Sequence, residues 1–528
     1  MVWMRRHAAL LLVGGLSWLV GCSQAAPGEP PSPSPSPTDL GDWVDTGRLA
    51  ACDFNTGGAV CGDPDFFQLS ACDKGSLASI PRDGVYTALY RVEPPGASSP
   101  VSPFVSSFRV SESNLENRLR QYRPWKQVGP EGFFLSAEWT SGSRVIRHSI
   151  SACRAEGRRI HGCFVYCRDG QVSSKGTFMA ERAARPDGEA EASGLRLVSE
   201  SAVAQGRPVD VYVAQGHAYV VSIDGPDRVG GLSTFDVSNK AAPVLTSTVH
   251  HEGNSYWNGV WAKDDVLYVA SNTLGVMVFD ASVPSTPRFV RSYPSSNMGL
   301  SVHTVFVDGD RLYAMSNRPV PKTFIFDVSN PLSPVLLGEH AVPGAGQSGD
   351  TGYPHDAFAF EGRLYINHWS DGLLVVDVSD PANTKLLGAY GYAFARSHAS
   401  AVGRFGERVI AFEGGETWGA HLRVLDVTDP ASPRRIGEYR LDPRASIHNM
   451  VLQGTRLYIA YYQHGVRVLD VSTPESPREL AHYFTYRETD PFRGQSFYEG
   501  ALGIRVPGDG YVYVVDDSRG LLLFPELP

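Results

Sequence analysis

The chain has 528 residues, 42% of them hydrophobic, and sets 47 Lys and Arg against 56 Asp and Glu for a net charge of -9 at pH 7. That is enough chain for two to four domains around large buried cores. The pI of about 5.9 and the lack of any basic run leave no electrostatic footprint for a phosphate backbone, so no nucleic acid is expected as a partner.

Residues 1–22 read as an export signal. Arg5 and Arg6 form its basic start, and Ala8 to Val20 form an apolar run too short for a membrane span. The run ends in Leu19-Val20-Gly21-Cys22, which resembles the lipobox of bacterial lipoproteins. That resemblance implies a diacylglycerol on the Cys22 thiol, cleavage just before it, and a membrane held through the lipid. Ser23, following the Cys, implies sorting to the outer membrane of a bacterial envelope. Residues 23–40 form a tether. Its Pro- and Ser-rich stretch from Pro27 to Pro37 is a stiff spacer of polyproline II type, reaching about 30 Å.

Residues 41–190 form a second region, set apart by cysteine. Cys52, Cys61, Cys72, Cys153, Cys163 and Cys167 all lie within it, and no cysteine follows. An even, clustered set in an exported chain reads as three disulfides, with fifteen pairings open. Alternation over 85–92, 133–139 and 144–150 predicts antiparallel strands, and a helix is expected from Ser113 through Gln121.

From residue 191 to 528 one phrase recurs, an apolar pair (Thr234-Phe235 in the first copy) followed by Asp, then an apolar residue and Ser or Thr. Its aspartates are Asp236, Asp280, Asp327, Asp377, Asp426 and Asp470, 44 to 50 residues apart. That period suits four short strands and their turns. Within a unit, Val302 to Val307 and Leu312 to Met315 flank the turn Asp308-Gly309-Asp310, the Asp phrase forms a third strand, and a Pro-rich turn delivers a fourth. The last unit stops after its third strand, at Gly520 to Phe524. Leu195 to Val203, ahead of the first unit, scans like a fourth strand and is expected to complete the last one. The reading is all-β: a seven-bladed β-propeller preceded by a smaller disulfide-containing β-rich domain. The repeated phrase resembles the LVIVD repeat of exported bacterial and archaeal propellers, which implies a cell-surface protein and no particular reaction. Each repeated Asp is expected to accept backbone N–H groups in its turn.

Standard catalytic strings are absent. Chemistry would rest on histidines. His303, His355 and His448 each stand ten residues ahead of a second-strand Tyr, and His398 occupies the same place in blade five. Inner strands line a propeller channel, so four imidazoles are expected near one mouth, where they could hold a divalent transition metal. His368, His421 and His464, in the loops after second strands, open on the same face. Trp257, Trp261, Trp369 and Trp418 read as blade packing rather than as a carbohydrate platform. Two functions stay open: a binding or scaffolding module for a protein or glycan partner, or a metal-dependent oxidoreductase or hydrolase at the channel mouth.

The lipobox reading generates a direct test. Cys22→Ala is expected to leave the protein unlipidated and released from membranes, measured by fractionation and intact mass.

Overall fold

The structure, a computed structural model, describes residues 39–94, 101–113, 116–130, 132–225, 228–294, 300–345, 352–490, 493 and 496–528. The expected export signal, Cys22 and the Pro-rich stretch of the expected tether lie outside these residues, whereas Asp39 and Leu40 at the end of that tether are described. Among the described residues no helix is long and apolar enough to cross a membrane.

Seven antiparallel sheets form the ring, six of four strands and one, blade six, with a fifth at its outer edge. Blade one is Arg207–Ala214, His217–Ile223, Gly231–Asp236 and Val244–Val249. The same order repeats from Trp257–Lys263, Ser301–Asp308, Pro354–Phe360, Ser397–Phe405 and Met450–Gln453, the inner strands of blades two to six. Blade seven has Ala501–Arg505, Tyr511–Asp516 and Gly520–Pro525, and takes its outer strand from Ser199–Ser201. The register pairs Ser199 with Leu523 and Ser201 with Leu521, so the start of the propeller closes its end. Glu200 adds an ion pair to the buried Arg519. A second piece of the same segment, Ala192–Ser193, pairs along the outer edge of blade six.

Each repeated residue has a local duty. Asp236, Asp280, Asp327, Asp377, Asp426 and Asp470 accept the backbone N–H two residues on, at 2.7 to 3.1 Å. This turn starts the Pro-rich link to strand four. The second-strand tyrosines reach across blades: Tyr219 donates to the Pro284 carbonyl and Tyr268 to that of Pro331. Blades also touch through backbone. A Cβ at Gly338 would lie 1.9 Å from the Pro381 carbonyl of the next blade, which is why only glycine fits there.

The smaller domain is an eight-stranded antiparallel sheet of half-barrel form. Gln171–Arg182 lies between Gly84–Val92 and Arg159–Arg168, and the sheet runs out through Ser102–Val110 to Arg118–Leu119 on one side and through Arg144–Glu156 and Gly132–Ser141 to Trp125–Gly129 on the other. One face buries Tyr86, Tyr90, Phe108, Phe164 and Phe178. The other carries the cysteines and receives residues 49–72 through Cys52–Cys163, Cys61–Cys167 and Cys72–Cys153. The helix expected over 113–121 does not form. Arg118–Leu119 is instead an edge strand paired with Phe108 and Arg109, because Leu119 is buried against Phe108 in the sheet core, while residues 114–115 lie outside the description.

The closure makes a stability prediction. Deleting residues 191–205 removes a strand and the Glu200–Arg519 pair, and is expected to lower stability by several kcal/mol, on the order of 3 or more. Urea titration of the deletion beside the parent reads it.

Candidate functional site

The inner strands share an irregularity that builds the site. In blades one to five the pairing of first and second strands skips one residue: Val209, Asn258, His303, His355 and His398. In blade six His448 donates to the Ala460 carbonyl while Asn449 accepts from the Ala460 N–H, so two residues again oppose one. Each is a β-bulge at the mouth end of the strand. A bulge frees one side chain from the alternation of the pleat and re-aims it. Here that side chain lines the channel.

Four consecutive bulges therefore bring His303, His355, His398 and His448 together. Neighbouring ring centroids are 4.2, 4.1 and 4.3 Å apart in that order. Nε2 of His303 and Nε2 of His355 are hydrogen-bonded at 2.9 Å. Nδ1 of His448 faces the carbonyl of Leu502 in the next blade at 2.9 Å. His355 and His398 approach the backbone of His398 and His448 in the same manner, with Nδ1 buried and short of a well-directed hydrogen bond. Asn258 completes the row by donating to the His303 carbonyl at 3.2 Å. Burial holds His303 and His448 down to about 4, and His355 and His398 well below the usual range, so all four rings are neutral at pH 7.

Residues that sequence reasoning did not select complete the mouth. Glu416, after the second strand of blade five, puts Oε2 3.9 Å from Nε2 of both His355 and His398. The Tyr462 hydroxyl donates to its other oxygen. Burial pushes Glu416 up to about 7, against the opposing Tyr462 bond. Deeper in, Asp210 and Asp356 follow the bulges of blades one and four. Burial raises both, Asp356 to about 7, and Arg505 is 3.8 Å from Asp210. The channel cavity is about 660 Å³, walled at the mouth by Tyr256, Tyr353, Trp369 and Tyr498. Tyr353 and Trp369 stack at 5.5 Å, and His355 stacks on Trp369 at 5.2 Å. The one sequence signal for the carboxylates was that Asp356 directly follows His355; Asp210 and Glu416 had none.

The other histidines do not join the cluster. His368 pairs with Asp371, and His464 packs between Tyr461 and Phe484 beneath the small domain. His421 bonds Asp42 at 2.8 Å. Asp42 belongs to the N-terminal segment, which docks on blades four and five around a fully buried Arg423. That guanidinium takes Asp39 at 2.9 Å and Asp42 at 3.0 Å, approaches Glu413 at 3.7 Å, and lies 3.6 Å over the Tyr392 ring. Burial raises the Asp42 carboxyl, but Arg423 and His421 more than reverse it and leave it below the usual range. Burial and the Asp42 charge push Glu413 up to about 7, only partly offset by Arg423. Trp43 and Leu89 of the small domain pack on Trp418 and Phe497, beside Glu416 and Tyr498, so this domain sits on the face where the histidines open. Of the four tryptophans read as packing, Trp257 is core, Trp418 meets the small domain, and Trp261 and Trp369 line the cavity.

His464 supplies a pH prediction. Burial, with Arg467 beside it, lowers its folded value from 6.5 to about 4. Between those values the unfolded imidazole takes a proton that the folded one refuses, so stability falls as pH drops, by up to about 3 kcal/mol. His464→Gln is expected to flatten this acid slope, read as the stability difference between variant and parent from pH 7.5 to 4.

The LVIVD repeat model matches residues 205–250, 256–295, 352–391 and 447–485, which are blades one, two, four and six. No curated protein matches the chain. Among solved structures, the computationally designed Ika8 protein is similar at 8% identity and a TM-score of 0.42, over 71% of this chain and 96% of that one. The Cps50 (Swd1) β-propeller domain from Myceliophteria thermophila is similar at 11% identity and a TM-score of 0.46, over 63% of this chain and 100% of that one. At such values the likeness carries no argument, and the blade count rests on the strands themselves. The chain thus carries LVIVD repeats in four stretches and folds as a seven-bladed β-propeller.

Proposed function

We propose that the protein is an envelope lipoprotein, anchored through Cys22, whose propeller binds the end of a glycan chain in the mouth of its channel. What carries the reading is the stacked pair Tyr353 and Trp369, half-buried at the rim of the cavity of about 660 Å³. A recessed aromatic wall beside a few convergent polar groups suits a slender ligand with apolar faces and hydroxyl edges. A protein partner needs a broad face of about 800 Å² per side, and the small domain occupies part of the rim where such a face would seat. Arg396, with its guanidinium 5.8 Å from the Trp369 ring, adds a cation at the same place and favours an acidic sugar. The lipid anchor fits this use, because it holds the binding face within the envelope where such chains are abundant.

The test uses the unlipidated Cys22→Ala protein and a panel of neutral and acidic oligosaccharides, with binding read by calorimetry. Saturable binding to at least one acidic oligosaccharide is expected, weakened about tenfold by Trp369→Ala with little change in melting temperature. Failure of every oligosaccharide to bind, or binding indifferent to Trp369→Ala, would overturn the reading.

A further inference from the structure

We propose that His355, His398 and Glu416 form a binding site for one divalent transition-metal ion at the floor of the channel mouth, with His303 and His448 flanking it. The inference goes beyond glycan binding and does not depend on it.

The geometry is the first argument. One carboxylate oxygen of Glu416 stands 3.9 Å from Nε2 of His355 and 3.9 Å from Nε2 of His398. This is too long for a hydrogen bond and too short for a bridging water of ordinary geometry. Two ligands of one tetrahedral ion bound at about 2.0 to 2.1 Å stand about 3.3 to 3.4 Å apart, so each gap is roughly half an ångström wider than a loaded site needs. The three ligand atoms all lie within 4.8 Å of one another, so an inward shift of the rings, with Nε2 of His355 exchanging its bond to Nε2 of His303 for the ion, closes a three-point site.

The donor chemistry is the second. Imidazole nitrogen with a carboxylate suits zinc, copper, nickel or iron, and three protein ligands leave positions open toward the cavity. The surroundings are the third. Metal-bound imidazoles are held by their other ring nitrogen; Nδ1 of His448 is held so by the Leu502 carbonyl at 2.9 Å, and Nδ1 of His355 and of His398 is buried toward the same backbone position of the following blade without completing the bond. Tyr462 holds the far oxygen of Glu416 in the same outer-shell manner. The bulges fix both histidines on strands, and Glu416 follows directly on the second strand of blade five.

A direct experiment uses full-length unlipidated protein without a histidine tag, stripped by chelator. Zn²⁺ is titrated in competition with a chromophoric chelator, and Co²⁺ absorption reports the ligand field. One Zn²⁺ per chain with submicromolar affinity is expected. His355→Ala/His398→Ala is expected to lower that affinity at least 100-fold, Glu416→Gln about 10- to 100-fold, and His250→Ala/His251→Ala, at two exposed histidines, not at all. The melting temperature of each variant is measured alongside. Should the double variant fail to fold, the near-isosteric Glu416→Gln decides alone. Substoichiometric zinc in the parent, or affinity unchanged by Glu416→Gln, overturns the site.

Discussion

A ring of blades has to find one more strand than its last repeat supplies, and almost everything else here depends on how that is met. Blade seven ends with three strands of its own, and Ser199–Ser201 gives the fourth. Without it, Gly520–Pro525 would present a row of unpaired backbone groups to solvent. The pairing also decides where the small domain goes. The segment that closes blade seven leaves the small domain only a few residues earlier, skirting blade six through Ala192–Ser193. The sheet of residues 84–182 is thereby held against the mouth face, where Trp43 and Leu89 meet Trp418 and Phe497. Ion pairs from Glu181 to Arg444, Arg182 to Glu488 and Glu189 to Arg467 then fix its angle.

With the ring closed, the inner strands converge, and the bulge becomes the site-building device. A regular strand would alternate its side chains between the two neighbouring blades. One inserted residue per strand breaks that alternation at the mouth alone. The blade-to-blade contacts are left intact, since the Tyr268 hydroxyl still reaches the Pro331 carbonyl and Gly338 still admits the Pro381 turn. The channel position is thus free to vary in chemistry: Val209 and Asn258 in the first two blades, histidine in the next four. Packing and site are separable in this fold, which is how a scaffold of near-identical units carries an asymmetric cluster.

How far the sequence revealed this follows from which interactions are local. The six Asp turns, the Tyr positions and the blade count were legible because each is specified within one repeat. The closing strand was legible because Leu195 to Val203 keeps the pattern of an outer strand. The four channel histidines were legible through their fixed distance from the Tyr, although the bulge that aims them was not. Glu416 was missed because it stands just past the second strand of blade five, at a position no repeated phrase marks. The Arg423 cluster was missed for the same reason, since Asp39 and Asp42 lie nearly 400 positions from the arginine. The helix expected at 113–121 failed because tertiary demand prevailed: Leu119 is worth more as an edge of the Phe108 core than as part of an isolated turn.

The disulfides of the small domain have a consequence for the unfolded chain. Cys52–Cys163, Cys61–Cys167 and Cys72–Cys153 span 111, 106 and 81 residues, and all three enclose the same stretch of sequence. Whichever forms first contributes the largest single share, about 4 to 5 kcal/mol on the loop-entropy model. Each later bridge closes only a short remainder and adds less, about 3 kcal/mol on the same model. Loss of any single bridge therefore leaves the long loop closed, and the domain tolerates it far better than a reducing environment that opens all three.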